Sequence, residues 1–524
     1  MYIYHQRYRQ PFYQVTGMLV NEKLRAFLFR YGPFLLPAIV LLLHLPFLFA
    51  DPDFYLSHSR DAHSDEGLNT SQIRNFVNYG YIDPMECDNL IKNPLFNLIM
   101  AGPFFIFGTK LWAGRITVLL FGSLTILFLS RNRSLRWFWL LFIPVAWMQF
   151  HIFSYMHFSM AEMAAVSCIL IAVYHCFCFT QWSEAHKRRK HLALAVLFSS
   201  LSWFFKIQFA YMVVFVPVIF FSWWLRKTIL TRKVTREGAL LLALCAGCAL
   251  LPVALYYFSW FLPLKEAYTY IMHNQASNRF AAWKDIFPIV RENYHRYFTT
   301  QQVVPLFYLF LLAFVTGPVL YFTQPGKIFR GLFPVAFFWA VLESHKMLIH
   351  FVPSRYLVSA YVAMAFLITA VLYEALRRFI FAMPAHDRRK YIGWFGAACF
   401  TWLLANHVIS YVELYQRRTF HIHEVNRYLS QYNLEGVTAA GPWAPSLTWD
   451  TKARCIPVWS GFLNDKNINE KLHPGIVFSE PDEADSEQAF CKDGFDLATL
   501  SDSVRTYRIG RWPVNLYWIK QEYQ

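Results

Sequence analysis

Apolar residues in this chain come in blocks. Runs near 33–50, 111–130, 136–150, 158–179, 190–204, 208–225, 238–262, 303–323, 329–345, 354–376 and 392–412 stand apart from polar stretches. A helix rises about 1.5 Å per residue, so roughly 20 residues cross the ~30 Å of hydrocarbon in a bilayer. The pattern predicts an α-helical polytopic membrane protein with about 11 transmembrane helices. The run 136–150 is the shortest, and 190–204 and 208–225 are closely spaced. Two polar loops, 51–110 and 263–302, interrupt the membrane body of residues 33–412. A basic cytoplasmic lead, 1–32, precedes it, and a polar tail, 413–524, follows.

The loop and the tail have periodicities of their own. Asn69 or Thr70 can cap a helix whose apolar side holds Ile73, Phe76 and Val77. Residues 94–108 are apolar but broken by prolines, which reads as a helix lying on the bilayer surface. The tail opens with a helical pattern, Val425, Tyr428, Leu429 and Tyr432. β-rich runs follow at 436–440, 475–478 and 515–519. This predicts a small α/β domain outside the membrane.

Charge orients the chain. Of the 524 residues 56% are hydrophobic, and the basic residues concentrate in alternate short loops. With the N-terminus inside, Arg131, Arg133, Lys187-Arg188-Arg189-Lys190, Arg226-Lys227, Arg232-Lys233, Arg377-Arg378 and Arg388-Arg389-Lys390 all fall inside. That is the positive-inside bias. It accounts for the net charge of +16, so the charge does not point to nucleic acid. The polar lead, with no small-residue cleavage site behind it, reads the first run as a span and not a signal peptide. Cys245-x-x-Cys248 sits mid-span without further ligands and reads as packing. Cys455 and Cys491 share the tail, where an oxidising compartment would allow a disulfide.

The candidate chemistry lies at the outer edge of the body. Asp65-Glu66 are adjacent carboxylates just beyond the first span, with Lys92 downstream. Such a set suits a site that handles a hydroxyl and a phosphate: a carboxylate takes the hydroxyl's proton and cations hold the phosphate. Lys206 falls between two spans on the outer side, and Arg355-Tyr356 open the tenth. Glu162 lies about one turn into the fourth span and Arg115 within the second; ionisable residues at that depth face a cavity or a partner. His58, Asp61, His63 and Asp65 are metal-ligand types whose spacing matches no strong motif. No cofactor is expected to be required, with a divalent metal as the lesser alternative.

The order is a span, Asp65-Glu66, an amphipathic helix, Gly80-Tyr81, Lys92-Asn93-Pro94-Leu95, an apolar helix ending Phe107-Gly108, then Arg115. This order resembles the membrane-embedded C-type glycosyltransferases. It is closest to the branch of dolichyl-phosphate-mannose protein mannosyltransferases and bacterial aminoarabinose lipid A transferases. The bacterial lipid A enzymes tend to have Glu-Lys-Pro where this chain has Ile91-Lys92-Asn93-Pro94. The resemblance implies an inverting glycosyltransferase that moves one sugar from a polyprenyl monophosphate, undecaprenyl-based in a bacterium, to an acceptor hydroxyl. It implies Asp65 as the general base with Glu66 beside it. Lys92, Lys206, Arg355 and Tyr356 would lie at the donor phosphate, and Glu162 and Arg115 at the acceptor or cavity. The expected partners are that lipid-linked donor, a glycan, lipid or protein acceptor and membrane lipids, but no nucleic acid. The expected location is a bacterial inner membrane with the site facing the periplasm. The alternatives are an oligosaccharide ligase or polymerase using a lipid pyrophosphate donor, and a lipid or sugar transporter.

Overall fold

A computed structural model of the chain describes residues 22–520, apart from 58, 183, 233–235, 268, 270–282, 324, 351, 382–386, 482 and 484–485. Most of the basic lead, His58 and the centre of the 263–302 loop thus lie outside the described residues. In chain order the main helices are α1 (Glu22–His44), α2 (Asp61–Leu68), α3 (Ser71–Tyr79), α4 (Asn89–Lys92), α5 (Pro94–Phe107), α6 (Leu111–Ser130), α7 (Arg136–Trp147), α8 (Phe150–Met156), α9 (Ala161–Gln181) and α10 (Ala185–Phe205). They continue as α11 (Met212–Thr231), α12 (Arg236–Tyr256), α13 (Ile286–Tyr297), α14 (Val304–Phe322), α15 (Lys327–Glu343), α16 (Val358–Phe381), α17 (Asp387–Gln416), α18 (His421–Leu429) and α19 (Ala444–Leu447).

Every apolar run lies in a helix, but the runs do not all make straight spans. Among the described residues 8 helices are long and apolar enough to cross a membrane, or 9 if α7 and α8 form one bent span. The axis turns by 87° between α7 and α8. The side-chain carbonyl of Gln149 accepts hydrogen bonds from the backbone of His151 at 2.9 Å and Ile152 at 3.0 Å, which starts a new helix. Two further runs fall short of span length or apolarity. Helix α10 begins with a basic turn, and α15 has 17 residues. Both still pack in the bundle, α10 on α9 and α11, and α15 on α16.

The bundle is built around α9 and α16, which are buried along most of their length. Helices α1, α12, α14 and α17 surround them and leave Leu42, Leu250, Phe322 and Trp394 exposed. Exposed large apolar side chains in such numbers belong against hydrocarbon. The chain is an integral membrane protein. Helix α5 is too short to span and exposes Leu98, Phe105, Ile106 and Phe107.

Asp65 and Glu66 do not sit in a flexible loop. They lie inside α2, buried on both sides of the helix. The helix read from Asn69 or Thr70 is α3. Its Thr70 hydroxyl donates back to the carbonyls of Glu66 and Gly67, both at 3.1 Å, and so locks the α2–α3 corner.

The tail carries a five-stranded sheet in the order β2-β1-β3-β5-β4. Its strands are β1 (Thr438–Ala440), β2 (Arg454–Ile456), β3 (Pro474–Ser479), β4 (Ser501–Ile509) and β5 (Trp512–Ile519). Strands β1, β2 and β3 pair in parallel, and β3, β5 and β4 pair antiparallel. Cys455 is buried, Cys491 is exposed and both are free, so they form no disulfide.

The tail grips the first loop. Asn75 accepts from the backbone N–H of Cys455 and donates to its carbonyl, each at 3.0 Å, taking the place of a neighbouring strand at the edge of β2. The Ser446 hydroxyl is shared between the carbonyls of His63 and Ser64 at 3.0 Å. A Cβ at Gly67 would come within 2.4 Å of the Pro445 and Ser446 backbone, so only glycine lets α2 lie on α19. Asp51 caps α18, accepting from His421 N at 2.8 Å and Ile422 N at 2.9 Å.

His63 is buried in this contact, beside Trp443 and Trp512, with Asp51, Asp61 and Arg511 as its charged neighbours. Burial penalises the imidazolium and holds its pKa down to about 4. A released, solvated His63 titrates near 6.5, so the detached form gains its proton first as pH falls. Tail docking should therefore weaken between pH 6.5 and about 4, by on the order of 2–3 kcal/mol at the acid end. Hydrogen exchange at α2 and α19 across this range measures it. The His63→Phe variant should lose that pH dependence; an unchanged profile would assign it to another group.

Candidate active site

Four elements meet at one buried cluster. Helix α2 brings Asp61 and Asp65, one turn apart on the same face. Helix α9 brings Glu162 in its first turn, where the helix dipole favours a carboxylate. Lys206 stands in extended conformation at the break after α10. Arg355 lies in the short 3₁₀ turn Ser354–Leu357 that Pro353 starts just before α16. Tyr155 fixes that turn through a 2.7 Å hydrogen bond to Ser354.

The contacts form a chain of alternating charge. Arg355 pairs with the Asp65 carboxylate, and lies 3.4 Å from Asp61 and 3.4 Å from Glu162. Lys206 completes it at 2.7 Å from Glu162. Three carboxylates thus face two cations. Lys206 also reaches Asn69, at 3.5 Å, and its ammonium lies 5.8 Å from the centre of the Tyr356 ring. Asp65, Glu162 and Lys206 are buried. Glu162 Oε1 takes both of its ion pairs, and its buried Oε2 has neither a hydrogen bond nor an ion pair among the described residues. Buried polar atoms in that state mark a place prepared for another polar group.

The other expected site residues have different settings. Lys92 pairs with Asp88 one turn back, beside the cluster rather than in it; Asn93 links its helix to Asn69 at 2.9 Å. Glu66 and Arg115, expected at the site, form a closed clasp of their own. Arg115 Nε and Nη2 reach the two Glu66 oxygens at 2.7 and 2.6 Å. Its Nη1 serves the carbonyls of Phe47, Leu48 and Ala50. The Ser159 backbone N–H completes Glu66 at 2.8 Å. The contacts of both thus run to each other and to the backbone, not to the cations of the Asp65 cluster. Adjacent residues on a helix point about 100° apart, which is why Asp65 and Glu66 part company.

Sequence reasoning missed Glu343 and Lys346. They form a buried pair at 2.6 Å, and the Lys346 ammonium donates to the Tyr356 carbonyl at 2.7 Å, anchoring the turn that carries Arg355. Two ionisable residues three apart at the end of an apolar run were the available signal. Asp61 had been weighed only as a metal ligand. Among the described residues no group of three or more His, Cys, Asp or Glu side chains is gathered to hold a metal, and His58 lies outside them.

No family model matches the chain, and no curated protein matches it by sequence. Solved structures do. ArnT from Cupriavidus metallidurans bound to undecaprenyl phosphate aligns over 92% of this chain and 97% of its own, with 14% identity and a TM-score of 0.57. The chain has a C-type membrane glycosyltransferase fold. ArnT in the apo state aligns with the same coverage at a TM-score of 0.55. AglB from Archaeoglobus fulgidus, an oligosaccharyltransferase, covers 95% of this chain and 75% of its own at 10% identity and a TM-score of 0.49. In this C-type fold the Asp65 cluster lies where the first loop meets α9, α10 and α16.

The clasp makes a prediction separable from chemistry. Glu66→Gln or Arg115→Met leaves a buried charge without its partner and should destabilise the fold by about 3–5 kcal/mol. The double variant Glu66→Gln/Arg115→Met should recover a large part of that loss. Thermal unfolding of the purified variants in detergent reads it; a double variant no better than the worse single would deny the pairing.

Proposed function

We propose that the protein is an inverting glycosyltransferase. It moves a monosaccharide from a polyprenyl monophosphate to an acceptor hydroxyl on the face that bears the tail domain. The observation that carries this reading is the buried pairing of Asp65 with Arg355, next to Lys206 and to Glu162, whose Oε2 is unmatched. The binding of undecaprenyl phosphate by ArnT, a protein of the same fold, supports the donor class.

The chemistry follows from charge exchange. At rest Arg355 is engaged by Asp65. A donor phosphate entering beside Arg355 and Lys206 offers both cations a better partner, since guanidinium matches phosphate oxygens in pairs. Arg355 turns to it and releases Asp65. The acceptor oxygen attacks the anomeric carbon from the face opposite the phosphate and loses its proton to the freed Asp65 carboxylate. The bond from the anomeric carbon to the phosphate oxygen breaks, and its electron pair leaves with the phosphate. Arg355 and Lys206 stabilise the added negative charge. Glu162 holds both cations in place, Lys346 holds the turn that carries Arg355, and Lys92 borders the donor. The step as written needs no cofactor. The tail, docked on α2, recognises the acceptor.

Asp65→Asn keeps size but cannot take the proton. Single-turnover transfer at saturating donor should slow by roughly 10²–10⁴-fold, with donor affinity little changed. Arg355→Ala and Lys206→Ala should instead weaken donor binding, each by about 1.5–3 kcal/mol. A well-folded Asp65→Asn variant within about tenfold of wild type would remove Asp65 from the mechanism.

The tail and the cluster are proposed to face the periplasm of a bacterial inner membrane, with Lys187 in the cytoplasm. In a Cys491→Ser background, an impermeant thiol reagent applied to intact spheroplasts should label a cysteine placed at Lys452 and spare one at Lys187. Both side chains are at least a third exposed, so access is not the limit. The reverse labelling would invert the topology.

A further inference from the structure

A cavity of about 330 Å³ lies on the other side of α2 from the Asp65 cluster. His63, which lines it, is two residues from both Asp61 and Asp65, and so points roughly 200° around the helix from them. The rest of the lining comes from the segment after α1, from α8 and the turn that follows it, from the end of α17, and from the β4–β5 hairpin of the tail.

Its charge is unbalanced. Arg417 and Arg418 come from the end of α17, and Arg508 and Arg511 from the hairpin. Four guanidinium groups line it with two carboxylates; Arg417 is paired with Asp53 and Glu413 and Arg418 donates to the Tyr415 and Pro46 carbonyls, while both carboxylates are engaged. Asp51 accepts from Thr419 at 2.7 Å and from two backbone N–H groups of α18. Asp53 accepts from Arg417 at 3.2 Å and from Tyr55 N at 2.8 Å. The floor holds an unmatched group. The buried Ser154 Oγ has no hydrogen-bond partner among the described residues, and beside it the buried His63 and His157 rings each meet a single backbone group, of Pro52 and Phe153. Buried polar groups are normally satisfied, so an orphan hydroxyl flanked by two imidazoles in one cavity wall calls for a polar ligand.

The mouth adds the setting. Phe54 and Tyr55 are exposed beside it, at the end of a membrane span, as aromatic residues are at the bilayer interface. We propose that this cavity is an anion site that takes the phosphate of a phosphomonoester headgroup, distinct from the Asp65 cluster. Paired guanidinium donors fit phosphate oxygens, and the floor hydroxyl and imidazoles complete the set. The aromatic rim at the interface favours a lipid as the bearer over a soluble phosphate.

The test needs no turnover, so it stands or falls apart from the transfer reaction. The full chain is purified in phosphatidylcholine micelles containing phosphatidic acid, and retained lipid is counted by native mass spectrometry. Wild type should keep phosphatidic acid over phosphatidylcholine. Arg508→Gln/Arg511→Gln, on exposed residues of the hairpin, should lower its affinity by about tenfold per arginine, with thermal unfolding as the check on the fold. Arg508→Lys/Arg511→Lys should restore part of it. Arg355→Ala/Lys206→Ala should leave it intact. A glycerol 3-phosphate titration separates the sources. Saturable binding lost in the Gln variant assigns a soluble phosphate; no binding, with phosphatidic acid still kept, assigns the lipid. The proposal is overturned if phosphatidic acid is not preferred, if the Gln variant retains it fully, or if retention is lost in Arg355→Ala/Lys206→Ala instead.

Discussion

Neutralising two adjacent buried carboxylates is the constraint on which this structure depends. Asp65 and Glu66 sit side by side in a helix that is closed on every side. An ion of this kind left unpaired in a protein interior costs several kcal/mol, and two neighbours cannot share one cation because they point in different directions. The chain therefore supplies two arginines from two separate elements. Arg115 in α6 takes Glu66, and Arg355 before α16 takes Asp65. These pairings fix the first loop against the bundle at both ends of the sequence. They also divide labour. The Glu66 pair is bidentate and tied to the backbone, while the Asp65 pair borders Lys206 and the unmatched Oε2 of Glu162.

That contrast bears on what was legible beforehand. The apolar runs were long and the basic loops alternated, so the helical body could be read from hydropathy and charge. Its breaks were less visible: the 87° turn at Gln149 depends on a side-chain cap inside an apolar stretch, where no charge or glycine announces it. In the tail, β1, β3 and β5 were read from their apolar character. Strand β4, Ser501–Ile509, is an exposed edge of mostly polar residues, and β2 is three residues long; neither has an alternation to detect. Of the site, the residue types and their membrane edge were readable, whereas pairing was not. Nothing local distinguishes Glu66 from Asp65, and only the fold shows that one faces Arg115 and the other Arg355. Lys346 escaped notice because its task is to hold a backbone carbonyl, that of Tyr356.

Electrostatics in the cluster also explains why cations and carboxylates are interleaved rather than segregated. Two bare cations beside each other in a low-dielectric pocket would repel and lose their protonated state or their position. Glu162 between Lys206 and Arg355 removes that penalty, at 2.7 and 3.4 Å. With Asp61 and Asp65 the balance tips to three carboxylates against two cations, so the resting site carries excess negative charge. Under the proposed reaction that excess has a use. Once Arg355 has turned to the phosphate, the Asp65 carboxylate is the group left to take the acceptor's proton. The arginine that restrains Asp65 at rest is then the one that receives the phosphate.

The tail completes this arrangement because α2 cannot position itself. Eight residues with little apolar surface do not form a stable helix alone. What holds α2 is the contact with α19. There Gly67 admits the Pro445–Ser446 backbone, and Ser446 binds the carbonyls of His63 and Ser64. Arg74 stacks 4.1 Å from the Trp449 ring centre and donates to the Pro445 carbonyl. Asp65 is therefore aimed from two sides, by Arg355 in the membrane body and by the tail pressing on the helix that carries it. A side chain added at Gly67 would lift α2 from α19 and move Asp65 without touching a charged group. The tail is thus part of the site's geometry, and any acceptor that displaces it also displaces the carboxylate it would need.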